Sequence, residues 1–176
     1  MNLPFFSHQD LRMVGEALEV AEDRTGDYFK FSFEQWKRHR YDVKTLCSLG
    51  EHEVSEHAFA LLNKGVRHSG RGVARTGEHD FFLICLQDHL ILKALGRDTN
   101  MDLLPLLVYV FTHELVHIVR FCNFHQRFEA SEKHRTREEA VVHAATYDIL
   151  RELSLPKLNY VLDSYQGHRI CDMIAR

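Results

Sequence analysis

Apolar residues recur at helical spacing along most of the chain. After Ser7-His8-Gln9-Asp10, which has the form of a capping box, come Leu11, Val14, Leu18, Val20 and Ala21, so a helix starts at Ser7 and ends at Gly26. Phe29, Phe31 and Phe33 alternate as a short strand would. Ser32 equally opens a helical series through Trp36, Tyr41, Val43 and Leu46, and its greater length favours the helix. A third helix is expected from Glu53 to Val66, with Val54, Ala58, Leu61 and Leu62 on one side. Residues 67–80, "RHSGRGVARTGEHD", read as a loop because of their glycines and polarity. "FFLICL" (81–86) suits a buried strand or the start of a helix through "QDHLILKAL". Leu103-Leu104-Pro105 opens a long helix to about Phe121, with proline in the first turn where its missing N–H costs nothing. A polar connection (123–137) leads to an amphipathic helix, "EEAVVHAATYDILREL", with Ala140, Val141, Ala144, Ala145 and Ile149 inward. Pro156 breaks it, and "KLNYVLDSY" forms a final helix.

This pattern predicts a mainly α (α+β) protein. Residues 1–176 form one helical domain around the 103–121 helix, with a small β-hairpin or sheet near residues 70–86. No repeat or linker divides it. A hydrophobic content of 45% and 12 phenylalanines suffice for a sizeable core. The formal charge of −3 gives no basic field for nucleic acid, and Lys37-Arg38-His39-Arg40 reads as a solvated helix face. The N-terminus lacks a basic segment followed by a long apolar one, and no uninterrupted apolar run reaches about 18 residues. A cytoplasmic protein without a membrane span is therefore expected. Cys47, Cys85, Cys122 and Cys171 form no CxxC pair and are expected as buried reduced thiols.

One stretch does not fit a plain core helix. Thr112-His113-Glu114-Leu115-Val116-His117 follows "LLPLLVYVF" and is flanked by Val108, Val110, Phe111, Ile118 and Val119. A helix apolar on all sides is buried. Buried His and Glu side chains cost several kcal/mol unless paired or bound to a metal, by an order-of-magnitude estimate. On a helix His113 and His117 lie about 40° apart and about 6 Å along the axis, so both imidazoles can meet one metal ion. Glu114, offset by about 100°, falls beside that ion, where a general base would sit. Zinc there would lower the pKa of a water, and Glu114 would accept its proton. With 13 histidines in the chain such a motif arises easily by chance, so the apolar context carries the argument.

A third protein ligand is needed, and the next helix offers Glu138, Glu139 and His143. Glu139 and His143 are four residues apart and share a face, whereas Glu138 points about 100° away and is expected in solvent. Glu139 is the expected third ligand. His143 either orients a ligand or replaces Glu139 in the metal shell.

These residues resemble the gluzincin-type zinc metallopeptidases. His113-Glu114-Leu115-Val116-His117 with Glu139 on a later helix matches their pattern over about residues 106–147. The resemblance implies zinc held by His113, His117 and Glu139, Glu114 as the base, and a peptide or protein substrate. That group often carries Asp four residues after the ligand Glu, where this chain has His143. A metzincin pattern is not met, since Arg120 and Asn123 stand where Gly and His belong. The stretch "PLLVYVFTHELVHIVRF…REEAVVHAATYDIL" is also similar to small uncharacterised bacterial proteins regarded at most as metallopeptidases. Peptidases of this type lay substrate along a sheet edge. "FFLICL" is the candidate edge, with Gly70 to Gly77 as a flap, although an ordinary core strand explains it as well. Tyr147, Tyr160, Tyr165 and His168 are open candidates for oxyanion stabilisation.

Two other readings use the same residues. Glu114-x-x-His117 fits one half of a di-iron carboxylate bundle, for which Glu53, Glu56 and His57 supply loose partners. Alternatively, a closed zinc site including both Glu139 and His143 makes the protein a non-catalytic structural or regulatory module.

Overall fold

The computed structural model describes residues 3–66, 80–123, 131–166 and 171–175. Six helices, α1 (His8–Phe29), α2 (Phe33–Arg38), α3 (Asp88–Arg97), α4 (Leu103–Cys122), α5 (Glu132–Leu150) and α6 (Leu158–Tyr165), accompany four strands. These are β1 (Tyr41–Lys44), β2 (Ala60–Val66), β3 (Asp80–Leu86) and β4 (Cys171–Ala175). The architecture is mainly α with one small mixed sheet, as the pattern predicts.

The long apolar helix is the centre of the fold. α1, α5, α6 and β2 all pack on α4, which explains why its apolar residues run around the whole circumference: each side meets another element. From Pro105 to Val119 every residue of α4 is buried. By length and composition this is also the one described helix long and apolar enough to cross a membrane, and 89% of that window is buried inside the fold. α1 begins at Ser7 with the expected capping box: the Ser7 hydroxyl accepts from Asp10 N, and the Asp10 carboxylate accepts from Ser7 N. It runs past Gly26 to Phe29 and ends on Lys30 in the left-handed region (φ 54°). There the Phe31 N–H bonds to the Gly26 carbonyl.

The sheet has the order β1-β3-β2-β4. β3 pairs with β1 in parallel and with β2 antiparallel, and β2 pairs with β4 in parallel. Ala60, Leu62, Phe82, Ile84 and Leu86 face the helices and join the main core. Phe82 stacks on Phe121 near the end of α4, with ring centroids 5.8 Å apart.

Three expectations are corrected here. The helix expected over Glu53–Val66 is a single 3-10 turn at Glu51–Glu53, an irregular stretch, and strand β2. Val54, Ala58, Leu61 and Leu62 do fit helical spacing, but Ala60 to Val66 find backbone partners in β3 along their whole length, and such pairing overrides local preference. The irregular stretch is held by Gln87, whose Oε1 accepts from Ser55 N and whose Nε2 donates to the carbonyls of Glu53 and Cys85. The helix from Ser32 stops at Arg38, and Tyr41 and Val43 belong to β1 instead. "FFLICL" lies in β3, an interior strand, so it cannot serve as a substrate-binding edge. The proposed flap, Gly70 to Gly77, and most of the 67–80 loop lie outside the described residues. Among the cysteines, Cys85 is buried as expected, Cys122 is half-buried and Cys47 is exposed.

One buried carboxylate ties distant segments together. Asp88, at the start of α3, accepts from Phe6 N and from Leu46 N, both at 3.0 Å. Those contacts fix the entry to α1 and the segment after β1 on the same group. Asp88→Ala leaves two backbone N–H groups without their acceptor. It is expected to lower stability by about 2–4 kcal/mol, with Asp88→Asn intermediate because one acceptor oxygen survives. Urea unfolding followed by circular dichroism measures both.

Candidate metal centre

Along α4, Tyr109, His113, His117 and Phe121 recur every four residues and form one ridge toward α5. All of them are buried. The His113 and His117 rings lie 4.9 Å apart edge to face, and His117 stacks on Phe121 at 6.3 Å. Glu139 of α5 projects onto this ridge. His113 Nε2 lies 3.3 Å from its Oε2, and His117 Nε2 lies 3.0 Å from its Oε1. His143, one turn further along α5, brings Nε2 to 3.9 Å from Glu139 Oε2 and its ring to 4.8 Å from that of His113. His113, Glu139 and His143 each present one ligand atom within 4.8 Å of the other two. His117 joins them through the second carboxylate oxygen. His113, Glu139 and His143 could hold a metal ion.

The chemistry of the set fits that role. The short contacts lack hydrogen-bond alignment, and both ring nitrogens of His113 are buried without a hydrogen bond. Burial pushes His113 down to about 4, and Glu139 beside it offsets this only partly. Burial alone would raise the Glu139 carboxyl, but its contacts with His113 and His117 outweigh this and hold it below the usual carboxylate range. Neutral imidazole and ionised carboxylate are the forms in which these side chains bind metal.

The sequence-derived residues thus divide clearly. His113, His117, Glu139 and His143 come together. Glu114 is fully buried on α4, in the turn that carries both histidines. Glu138 is not in solvent as expected. It is largely covered and forks with Arg120 of α4, with Nε to Oε2 and Nη2 to Oε1 both at 2.9 Å. α5 starts at Glu132, earlier than expected, and its inner side runs through Val142, Thr146, Ile149 and Leu150. Ala140, Val141 and Ala144 face outward. The hydrophobic pattern misled there because the inner side carries polar residues: Glu139, His143 and Thr146.

Of the oxyanion candidates, Tyr147 is exposed, Tyr160 is exposed with its hydroxyl donating to Asp98, and His168 lies outside the described residues. The Tyr165 ring stacks near the site on Tyr109, but its hydroxyl donates to Met101 Sδ. The phenol that does reach the cluster is Tyr109, 3.2 Å from His143 Nδ1. The sequence reading passed over it inside the apolar run, although its place four residues before His113 marked it. The di-iron alternative loses its second element. Glu53 sits in a 3-10 turn, bonded to Gly50 N and paired with Lys44, and no helix follows it.

Comparison with family models, with curated proteins and with solved structures finds no match to this chain.

His113 and Glu139 give the metal-free protein a defined pH response. The His113 pKa in the fold is below that of the unfolded chain, so the unfolded state binds more protons from about pH 6.5 down to about 4. Glu139, also depressed, adds to the loss below its ordinary range. Stability is expected to fall as pH drops through that window and to be flat above it. His113→Gln should flatten the upper part of the curve. Thermal melts of the metal-free protein between pH 4 and 8 check this.

Proposed function

We propose that the chain is a zinc-dependent hydrolase of metallopeptidase-like type, acting on a peptide or protein substrate in the cytoplasm. The observation that carries this reading is the contact of His113 and His117, one turn apart on a buried helix, with the two oxygens of Glu139. Three borderline-soft and hard donors of this kind suit zinc in a hydrolytic site. In this reading His113, His117 and Glu139 hold the ion. Bound zinc supplies Lewis acidity, which brings the pKa of a water toward neutrality and polarises a carbonyl. Glu114 accepts the proton of the attacking water and returns it to the leaving amine. The resemblance to gluzincins supports these roles and rests on the motif residues alone.

A second reading has a specific observation in its favour. His143 stands within reach of the same carboxylate, and a shell completed by protein side chains suits a structural or regulatory zinc site.

Glu114→Gln separates the two. For a hydrolase, turnover of a fluorescence-quenched peptide library is expected to drop by about 10²–10⁴-fold, while zinc content by elemental analysis stays at the wild-type level. Equal turnover in variant and wild type removes Glu114 as base. Zinc binding without turnover in either leaves the structural reading. His117→Ala is expected to lose the metal in both.

A further inference from the structure

The inner side of α5 brings two adjacent carboxylates toward α4, and the cluster receives one of them. Glu138 and Glu139 carry the same chemical group and lie about 100° apart around the helix. Arg120 separates them. It stands three residues after His117, one turn on along the same side of α4. Its guanidinium takes Glu138 through Nε to Oε2 and Nη2 to Oε1, both at 2.9 Å. Each side chain of this pair is 17% exposed, so water competes little for either. The Glu139 carboxylate lies 3.3 Å from His113, 3.0 Å from His117 and 3.9 Å from His143. Among the described residues its ion-pair contacts are thus with histidines of the cluster, and the rotation of α5 about its own axis sets its place among them.

Turning α5 by one residue would exchange the two carboxylates. It would also carry His143 away, since residues four apart share a helix face. The fork opposes that turn, because a planar guanidinium bound at two points fixes orientation as well as distance. A point charge fixes distance alone. Stability does not account for the pair: a largely covered ion pair gives back about what its desolvation costs, and an apolar pair of similar volume serves as well. We propose that Arg120 is a positioning residue of the centre. By holding Glu138, it fixes the rotation of α5 at which Glu139 and His143, and not Glu138, face His113. This rests on the metal-binding part of the proposed function and not on hydrolysis. Glu139 is a ligand in the hydrolytic and in the structural reading, so the role of Arg120 is the same in both.

Zinc affinity of the full chain, measured by chelator competition, reads this role out. Arg120→Met combined with Glu138→Leu replaces the fork by an apolar pair. The metal-free melting temperature is expected at or above wild type. Zinc affinity is expected to fall by about 10-fold, the lower end of what is lost when a group that orients a ligand is removed. A fork that only stabilised the fold would leave zinc affinity unchanged once the fold is retained. Arg120→Lys keeps the charge without the fork, and a smaller loss is expected. Glu139→Gln is expected to lose zinc, because Glu138 is held away from the histidines. Unchanged zinc affinity in the double variant overturns this proposal and leaves the zinc reading standing. Arg120→Lys decides in the same way if the double variant is destabilised or does not fold. Zinc held as tightly by Glu139→Gln as by wild type, or no zinc uptake by wild type, overturns both.

Discussion

The arrangement of this protein follows from one constraint: α4 carries polar groups into a place without water. His113, Glu114 and His117 are fully buried, and α4 is enclosed by α1, α5, α6 and β2. Desolvation keeps the His113 imidazole neutral and makes any unmet lone pair costly. Against His113 and His117, α5 brings the largely covered carboxylate of Glu139. The packing that makes α4 a core helix and the polarity that makes it a candidate metal centre are therefore one problem with one solution, the pairing of α4 with α5.

That pairing is held on both sides of the cluster. Near the C-terminal end of α4, Arg120 grips Glu138 through two parallel bonds at 2.9 Å. A planar fork of this kind fixes orientation as well as distance. Near the other end, Tyr109 bonds to His143. Glu139 lies between these two contacts and adjacent in sequence to Glu138, so its carboxylate is set against His113 and His117 by contacts it does not itself make. Largely covered ion pairs add little net stability, and fixing a register is their best-attested use. Arg120 and Glu138 fit that use, since a one-residue rotation of α5 would bring Glu138 to the histidines and send Glu139 outward.

The sequence made the long helices and the centre legible for the same reason. Where one face or all faces of a segment are apolar over several turns, periodicity identifies the element; α1, α4 and α6 follow it closely. The HExxH spacing then places His113 and His117 together with no knowledge of the fold. Periodicity failed where tertiary partners decide. Leu61 and Leu62 are compatible with a helix or a strand, and only β3 settles which. Tyr41 and Val43 likewise become strand by pairing with β3. On α5 the usual assumption that alanine and valine point inward failed at Ala140, Val141 and Ala144 and held at Ala145 and Ile149, since the inner side also carries Val142, Thr146 and the half-buried Glu139 and His143. The Arg120–Glu138 fork and the Tyr109–His143 contact were hidden because each joins residues far apart in sequence.

Two arrangements could satisfy the cluster: hydrogen bonds to the carboxylate, or a metal ion. A proton serves one nitrogen–oxygen pair at a time and demands alignment along that line. Here two nitrogens approach different oxygens of one carboxylate, at 3.0 and 3.3 Å, without such alignment. A third, His143 Nε2, stands 3.9 Å from the same carboxylate. Each neutral imidazole carries one N–H of its own, so His113 and His117 can each turn an Nε2–H toward its own oxygen of Glu139. A metal ion takes its ligands from one point, because coordination needs lone pairs that converge, and the ligand atoms of His113, Glu139 and His143 lie within 4.8 Å of one another. The directions in which these side chains are held accord with a buried hydrogen-bond network and equally with a metal ion at His113, Glu139 and His143.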